Sequence, residues 1–594
     1  MKESMSTLTE STPQQRQQMN FLLSMSGLGG LLYGIDLGII AGALPYLEAT
    51  SGFTSNQLSV VVAAVLLGSV FSTLFAGLLS DAWGRRPVMV LSGFAFILSV
   101  PMMALSSSFF TLVLGRLLQG ISAGLIGVVV PLYLAECLGA TNRGKGAGVF
   151  QWLITLGIFT AALIAWFFSF RVEALEQLQD PQRLFDFKNL AWRSIFWISL
   201  LPGLAFTLGS FFTSESPRWL FRRGRRAEAK AVLMKTRPEA QAEEELREME
   251  ALQTASSQVE TQRESIFKKK YMVPFMLACA ILMGTQATGI NSIIGYNTTL
   301  LIQSGLSDHN AHLGYVLMTL VNFLMTWVGV SLVDRQGRKF LLTLGASGLT
   351  LCLLLISFLF HRVESKQLDA KAYVQSFVTP DQELHLDLRG DGADTLVQKT
   401  DPQRQDLVGQ PTTAVLIYAY GDFRAASKVV RSQDPLAQIH VTRENVVPTN
   451  SVVAFFSSPF GDWKAAQSAP LRIEHALLTP IPSSLNGWAT ALLIFLFIGF
   501  FALGPGVCVW LALSELMPTR IRSNGMSVAL LLNQAVSTLI ALLFLPSVGQ
   551  FGYGPVFLVF AAFSIIFTLI AAFWLPETKG KTLEEIETQF DPSS

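Results

Sequence analysis

Twelve apolar stretches dominate this chain, and each is long enough to cross a lipid bilayer as a helix. A spanning helix needs about 20 apolar residues, because each residue advances it by about 1.5 Å. In hydrocarbon every backbone N–H and C=O must be bonded within the chain, so only helices or closed barrels span a membrane. The stretches lie at 20–47, 56–80, 87–106, 109–135, 145–169, 191–213, 271–302, 309–333, 338–360, 484–514, 522–547 and 554–575. They predict an all-α membrane protein with twelve transmembrane helices.

Charged residues are scarce, which supports the same class. They make up 14% of the 594 residues, whereas a soluble chain carries about 25%, so an ordinary soluble enzyme is excluded. The net charge of +1 gives no reason to expect a nucleic-acid partner. The four cysteines lie far apart in apolar stretches, and the histidines all lie in or beside the outer regions. We therefore expect no metal site, no catalytic residues and no cofactor.

Basic residues predict the orientation of the spans. Loops that contain Arg85, Arg143, Arg335 or Arg520 alternate with loops that lack Lys and Arg. Basic loops stay in the cytoplasm under the positive-inside rule, and the first twenty residues are polar, with no signal peptide. Both termini are therefore expected in the cytoplasm, and the protein is expected to be an integral, multi-pass protein in contact with the lipid bilayer.

The chain repeats itself after its sixth span. The sequence GLLSDAWGRR, which ends at Arg86, matches GVSLVDRQGRK, which ends at Lys339. Likewise PLYLAE, which ends at Glu136, matches WLALSE, which ends at Glu515. The second half holds extra chain between its ninth and tenth spans, where short β-like runs among turn-rich stretches predict a small α+β domain. Two repeated six-helix halves are typical of an alternating-access transporter with its site near the midplane.

This organisation divides the chain into seven segments, and a further small outer insertion is expected at about 171–190. The seven are a cytoplasmic tail (1–19), a first six-helix bundle (20–214), a cytoplasmic helical linker (215–270), spans seven to nine (271–360), an extracytoplasmic inserted domain (361–483), spans ten to twelve (484–576) and a cytoplasmic tail (577–594).

Both halves also carry short motifs beyond the repeat itself. They include GGLLYGIDLG at 29–38, DAWGRR at 81–86, SESPRWL at 214–220, QATGIN at 286–291 and LPETKG at 575–580. In these motifs the chain resembles the sugar porter family of the major facilitator superfamily, over its whole length except the tails and the outer insertions. The resemblance implies the major facilitator fold and the transport of a sugar.

Acidic and basic residues recur at matched positions at the cytoplasmic ends of both halves. Ion pairs there can lock the inner face while the cavity is open outward, and water offsets the cost of breaking them. The alternative is a set of solvated helix ends that obey the positive-inside rule. The candidate latch residues are Asp81, Arg85, Glu136, Arg143, Glu215, Arg218, Asp334, Arg335, Arg338, Glu515, Arg522 and Glu577.

Only two ionisable residues lie deep in the predicted spans, Asp36 in the first and Arg116 in the fourth. Helix geometry places them about 16 Å and about 11 Å from the outer ends, at similar depth. An intramembrane acid is costly and points to function. Beside Arg116 it would be ionised, whereas in a drier state away from Arg116 it would take up a proton. Proton-coupled members of the family have Asp at this position, which favours proton coupling over a static buried ion pair.

Amide and aromatic side chains in the spans are candidates for binding a sugar, since amides both donate and accept hydrogen bonds. Helix–helix hydrogen bonding is the alternative for each. Gly289 and Gly506 mark where helices seven and ten are expected to unwind, and Tyr296 either gates the outer side or packs as an ordinary aromatic. Gln534 stands where many relatives have Trp, so a hexose, a pentose and an inositol-like polyol all remain open. The candidate binding residues are Tyr33, Gln151, Gln286, Asn291, Asn322, Trp510 and Asn533.

The leading interpretation is uptake of a monosaccharide or polyol by alternating access with proton symport. Its partners are then the sugar and protons. The alternatives are a facilitative uniporter and, disfavoured by the short tails, a non-transporting sugar sensor. The outer insertion has no cysteine and no glycosylation sequon, which favours a bacterial inner membrane over a eukaryotic plasma membrane. Its role is open: the alternatives are binding of an unknown partner, restriction of access to the cavity, and an insertion that is simply tolerated at a loop.

Overall fold

Twelve helices of membrane-spanning length form the body of the protein. The computed structural model describes residues 12–138, 140–259, 269–448, 450–451, 454, 461–517, 522–579, 585 and 590. Within them, 12 helices are long and apolar enough to cross a membrane, which confirms the predicted number. The first two spans begin with capping boxes, in which Thr12 and Thr54 each bond to the glutamine three residues later. Such boxes satisfy backbone N–H groups that a helix start leaves free.

The spans are long and several are interrupted. In the first half they are Pro13–Ser51, Ser55–Trp83, Arg85–Ala104, Phe109–Cys137, Ala140–Gln177 and Pro181–Phe212. The linker forms the helices Pro217–Arg222, Arg226–Met234 and Glu239–Val259. In the second half the spans are Lys269–Ala287 with Ile290–Gly295 and Asn297–Gln303, Asp308–Gln336, Arg338–Glu364, Ser484–Leu503 with Pro505–Leu516, Arg522–Phe551 and Tyr553–Leu569.

The stretch expected to form a small outer insertion, at about 171–190, is helical, because both neighbouring helices extend through that region. The fifth span continues to Gln177, and the sixth begins at Pro181. Asp180 accepts a hydrogen bond from the backbone N–H of Arg183 and so caps the new helix, which has proline in its first turn. Charged residues there made the stretch look like a loop, whereas an N-cap and Pro at N1 are signals of a helix start.

The two halves pack their helices in the same way. In the first half the first span packs against the fifth and the second against the fourth; in the second half the seventh packs against the eleventh and the eighth against the tenth. The halves meet where the second span contacts the eleventh and the fifth contacts the eighth. Small residues allow the closest approach, since a Cβ on Gly34 would lie 1.9 Å from the Ile154 carbonyl oxygen.

The apolar core is shared at one end of the bundle and divided at the other. We call the end near Ser51 and Ser484 the domain side and the end near both chain termini the terminal side. On the domain side one buried cluster combines residues of both halves, such as Tyr46 and Leu58 with Leu300 and Phe544. On the terminal side one cluster holds residues 22–206 only and another residues 278–575 only. The bundle is therefore closed on its domain side.

An α+β unit lies between the ninth and tenth spans and has a core of its own. Its strands are β1 (Leu368–Asp369), β2 (Leu384–Asp387), β3 (Thr412–Tyr420), β4 (Phe423–Ala426), β5 (Val430–Arg431), β6 (Gln438–Val441) and β7 (Leu471–Pro480). One antiparallel sheet has the order β1-β7-β3-β4, with β5 also on β3, and β2 pairs with β6. Leu368 pairs with Leu478, so the two ends of the unit are adjacent.

The seventh span breaks at Gly289, next to the middle of the bundle. Its first helix ends at Ala287, and Gly289 has φ of +78°, a conformation that favours glycine. A Cβ there would also lie 2.4 Å from the Phe560 ring. The break therefore depends on both the backbone freedom and the small size of this residue.

Substitution of Gly289 by alanine separates these two effects from each other. We expect Gly289→Ala to lower the free energy of unfolding by about 1–2 kcal/mol for the left-handed backbone and by about 1–3 kcal/mol more for the clash with Phe560. Gly52 is the matched control, with φ of +69° and no atom within 4 Å of a Cβ. Thermal unfolding in detergent measures both variants. Equal losses in Gly289→Ala and Gly52→Ala would show that the contact with Phe560 is unimportant.

Candidate functional site

The two deep charges, Asp36 and Arg116, line one small cavity together with Asn291. Each of the two is 1% exposed. Neither carboxylate oxygen of Asp36 has a hydrogen-bond partner among the described residues. The Arg116 guanidinium donates instead to the Gln119 side chain (2.6 Å) and to the Val61 carbonyl (3.4 Å). The similar depth of the two residues along their helices predicted this proximity. The structure adds that the Asp36 carboxyl group has no hydrogen-bond partner among the described residues.

Amide side chains of the seventh and eleventh spans form a hydrogen-bonded network beside this cavity. Asn291 donates to the Gln286 side-chain oxygen (3.0 Å) and to the Ser537 hydroxyl (2.7 Å). Gln286 donates to Asn533 (3.3 Å), which in turn donates to the Leu282 carbonyl (3.0 Å). The break at Gly289 turns the chain so that Gln286 and Asn291, five residues apart, meet. The network is thus set by the backbone as well as by the amides.

The remaining candidate binding residues lie on other spans. Gln151 and Asn322 lie on the fifth and eighth spans, which pack against each other across the halves. Among the described residues, their side chains make no hydrogen bond to the network. Tyr33 lies within hydrogen-bonding reach of Gln534 on the eleventh span, again across the halves. The Trp510 side chain lies outside the described part of the structure.

The predicted gating positions differ in their structural settings. The tenth span breaks at Gly504, whereas Gly506 lies inside the helix that follows; the expectation of unwinding at Gly506 is therefore wrong by two residues. Pro505 explains the shift, since proline suits the first position of a helix. Tyr296 is fully buried on the domain side, stacks on Phe544 at 4.9 Å and donates to the Ala541 carbonyl (3.3 Å).

Two tyrosine hydroxyls join the first span to the eighth on the domain side. Tyr315 donates to the Gly38 carbonyl (2.8 Å), and Tyr46 donates to the Asp308 carboxylate (3.0 Å). Because these bonds connect opposite halves, they must break if the halves separate here. They fasten the side on which the apolar core is shared.

A buried ion pair ties the helix ends of the first half together on the terminal side. Arg85, at the start of the third span, contacts Glu136 of the fourth through two nitrogens at 2.8 Å each. Their side chains are 2% and 6% exposed. Ser216 donates to Glu136 (2.5 Å), and Asp81 lies 3.0 Å from Arg85. Bidentate Arg–carboxylate contacts combine strength with defined geometry.

The second half repeats this arrangement with more exposed residues. Arg338, at the start of the ninth span, lies 3.2 Å from Glu515 of the tenth, with side chains 13% and 21% exposed. Thr578 donates to Glu515 (2.6 Å), as Ser216 does to Glu136. The repeat seen in the sequence is therefore a repeat of contacts.

Glu215 and Glu577 cap helices through the backbone, which corrects the expectation that they pair with arginine side chains. Glu215 accepts from the backbone N–H groups of Arg85 (2.8 Å) and Arg86 (3.3 Å) at the start of the third span. Glu577 accepts likewise from Arg338 (3.0 Å) at the start of the ninth. Carboxylates are stabilised at helix N-termini, where N–H groups lack partners and the dipole is positive.

The other candidate latch residues add less to this picture. Arg218 lies in the short helix after the sixth span, and Arg335 is exposed. The side chains of Arg143, Asp334 and Arg522 lie outside the described part of the structure. The contacts named above all join helices of the same half, so they brace each half at its terminal side.

Several contributing residues were missed because their types are common in spans. Ser537 and Gln119 follow Asn533 and Arg116 by about one helical turn, and that spacing was the signal available. Ser216 and Thr578 each follow a capping glutamate, so the repeat itself marked them. No pattern in the sequence singled out Tyr315.

Comparison with known proteins identifies the architecture. The sequence model of the family described as "Sugar (and other) transporter" matches residues 22–379 and 473–590. The proton myo-inositol cotransporter of Homo sapiens is 26% identical over 583 residues, which cover 95% of this chain and 81% of that protein. The glucose transporter GlcP of Staphylococcus epidermidis is 26% identical over 566 residues, or 95% of each chain. The galactose-proton symporter of Escherichia coli is 30% identical over 329 residues, or 55% of this chain and 66% of that protein.

Solved structures support the same fold. The inward-open conformation of the xylose transporter XylE from Escherichia coli superposes with a TM-score of 0.63 at 18% identity, covering 96% of this chain and 99% of that one. The proton:xylose symporter XylE bound to 6-bromo-6-deoxy-D-glucose gives 0.59 at 19% identity, covering 97% and 100%. The major facilitator fold predicted from the motifs is confirmed.

Removal of one member of the buried ion pair should unfold the protein more readily than the same change in the second half. Arg85→Ala leaves Glu136 buried without its charge partner, so we expect a loss of about 3–5 kcal/mol in the free energy of unfolding. Arg338→Ala is the matched control and should cost only about 1 kcal/mol, because its pair is partly solvated. Thermal unfolding in detergent measures both. A double variant, Arg85→Met with Glu136→Leu, should recover most of the loss; no recovery would contradict this account.

Proposed function

The chain belongs to the sugar porter family of the major facilitator superfamily, and we propose that it imports a monosaccharide or related polyol by alternating access, together with a proton. It is an integral, multi-pass membrane protein that transports rather than catalyses. The observation that carries the coupling proposal is Asp36, which is 1% exposed and has no hydrogen-bond partner for either carboxylate oxygen among the described residues.

Charge at the loops supports an orientation with the terminal side in the cytoplasm. Basic residues such as Arg85, Arg86, Arg338 and Lys339 cluster at this end of the helices, as the positive-inside rule requires. The α+β unit then lies outside the membrane on the far face. Its lack of cysteine and of glycosylation sequons favours a bacterial inner membrane.

The proton site follows from the cost of charge in a dry environment. A buried carboxylate without a hydrogen-bond partner is disfavoured in its ionised form in the middle of a membrane protein, so this closed arrangement favours the protonated form of Asp36. Arg116 lies in the same cavity but is bonded to Gln119 and Val61. When water or Arg116 reaches the carboxyl group, the free-energy cost of the ionised form falls and the proton leaves. Reorientation between the two faces would then carry one proton with each cycle.

The sugar site follows from the amide network next to this carboxyl. Gln286, Asn291 and Asn533 bond to one another, and sugar hydroxyls can replace such bonds because they both donate and accept. The shared cavity of Asp36 and Asn291 measures 40 Å³, whereas pockets for small molecules usually hold about 300 Å³ or more. Binding of a sugar therefore requires the spans to move apart, which links substrate binding to the motion of the halves.

Opposed sets of contacts support alternating access. Bonds such as that of Tyr315 to Gly38 join the halves on the domain side. On the terminal side the contacts of Arg85 and Arg338 stay within their own halves. Each half can therefore tilt as a braced unit while the domain-side bonds break and reform.

Neutralisation of Asp36 should separate transport from proton coupling. In proteoliposomes with an imposed pH gradient, we expect Asp36→Asn to abolish uphill accumulation of the sugar while sugar–sugar counterflow persists, because the amide cannot carry a proton. Glu228→Gln, which removes an exposed acid of the linker, is the control and should keep accumulation. A facilitative uniporter would show no accumulation in any variant, and a protonophore would leave its uptake unchanged.

Truncation of a side chain in the amide network should weaken sugar binding while leaving Asp36, the proposed proton site, intact. Asn291→Ala removes a donor to both Gln286 and Ser537. We expect the apparent affinity for the transported sugar to fall by about fivefold, since a hydrogen bond contributes on the order of 1 kcal/mol. Uptake across a panel of hexoses, pentoses and inositols identifies the substrate and measures the change. An unaltered KM in Asn291→Ala and in Gln286→Ala would exclude the network from the binding site.

A further inference from the structure

The α+β unit is a separate rigid body attached to the second half. Its buried core is built from residues 368–478 alone. It joins the ninth span after Glu364 and the tenth before Ser484. The pairing of Leu368 with Leu478 brings these two connections together, so the unit is attached to the second half through two adjacent chain segments. The family model leaves residues 380–472 unmatched, so most of this unit lies outside the sequence pattern that the model describes.

One segment of the unit, residues 424–434, which we call the bridging segment, contacts the first half. The Ser55 hydroxyl donates to the Ser427 carbonyl (3.0 Å), and the Asn56 side chain donates to the Arg424 carbonyl (3.3 Å). Both donors lie at the start of the second span. The domain-side end of the second span is therefore bonded to the backbone of the α+β unit.

Charged groups extend this contact along the first half. The Lys188 ammonium on the sixth span lies 3.1 Å from Glu176 and 3.8 Å from Asp434 of the bridging segment, with its side chain 6% exposed. Glu48, near the end of the first span, accepts from the backbone N–H of Val429. Burial lowers the pKa of Lys428 below its usual value, and the nearby Glu48 carboxylate partly offsets this. The Lys188 side chain is therefore largely withdrawn from water by this contact.

The same segment is also bonded to the second half. The Arg431 guanidinium donates to the backbone carbonyls of Ile302 and Leu306, at the end of the seventh span, the latter at 3.1 Å. Between the bridging segment and the helix ends lies a cavity of 820 Å³, lined by Glu48, Glu176 and Lys188 among others. The segment thus spans the line along which the two halves meet.

Resting on the proposed alternating access, we propose that the α+β unit is an extracytoplasmic gate, whose bridging segment holds the two halves together and must release the first half before substrate enters from outside. Because the unit is covalently joined to the second half, opening breaks its bonds to the first half and leaves those of Arg431 in place. The broken bonds are those to Ser55, Asn56, Lys188 and Glu48. The unit therefore sets how often the outward-open state is reached. It is a function for this insertion distinct from substrate binding and proton coupling.

The gate is tested by a distance across the domain side in the full-length protein. Spin labels at Arg183→Cys and Leu485→Cys report the separation of the halves, since these exposed positions begin the sixth and tenth spans, and the four native cysteines are buried. A release variant combines Ser55→Ala, Asn56→Ala and Asp434→Asn. We expect the population with the long distance, relative to that with the short distance, to rise about tenfold, because three contacts are lost. Asp406→Asn, which breaks an ion pair with Arg404 inside the unit, is the control and should resemble the wild type.

Replacement of residues 365–480 by a short Gly–Ser linker is the second variant. Its ends are adjacent and its core is separate, so we expect it to fold as a monodisperse protein and to open at least as far as the release variant. Distances that match the wild type in both variants would overturn the gate. An increased distance without uptake of any sugar by the wild type would instead contradict the proposed function and leave the gate standing.

Discussion

The cost of placing charge in hydrocarbon governs this structure. An ion without a partner is strongly disfavoured there, so the charges of the membrane-spanning helices lie mostly at their ends, where they pair or meet water. Arg85 and Glu136 satisfy each other at one helix end, and Glu215 and Glu577 satisfy the N–H groups of two helix starts. Asp36 stands apart, since it is buried at mid-depth with no hydrogen-bond partner within the described residues. Such a group persists where its protonation is part of the function.

The same constraint shapes how the two halves move. Each half is braced on the terminal side by its own ionic and capping contacts, and its apolar core there is its own. On the domain side the halves share one core and are joined by hydroxyl groups such as that of Tyr46. The protein therefore consists of two braced halves and one contact region between them, on the domain side, which we call the seam. The α+β unit bonds to both sides of that seam, which is the observation behind the proposed gate.

Much of this was readable from the sequence because hydrocarbon permits so few backbone structures. Apolar length gave twelve spans, the repeat gave two halves, and depth along the helices brought Asp36 and Arg116 together. The break at Gly504 rather than Gly506 depended on the proline between them, a local rule that the repeat did not express. The capping roles of Glu215 and Glu577 were missed because a charge pattern cannot distinguish a side-chain partner from a backbone one. Arg431 of the bridging segment was unpredictable, since its partners are carbonyls brought near by tertiary packing.

The most direct test of the account is whether the transported sugar brings protons with it. Wild-type protein in proteoliposomes, without an imposed gradient, is given an inward gradient of each sugar or polyol in turn while the external pH is recorded. The account predicts that the transported substrate alone makes the external medium more alkaline, at a rate that follows its uptake. Uptake of that substrate without any change in external pH would contradict proton coupling through Asp36.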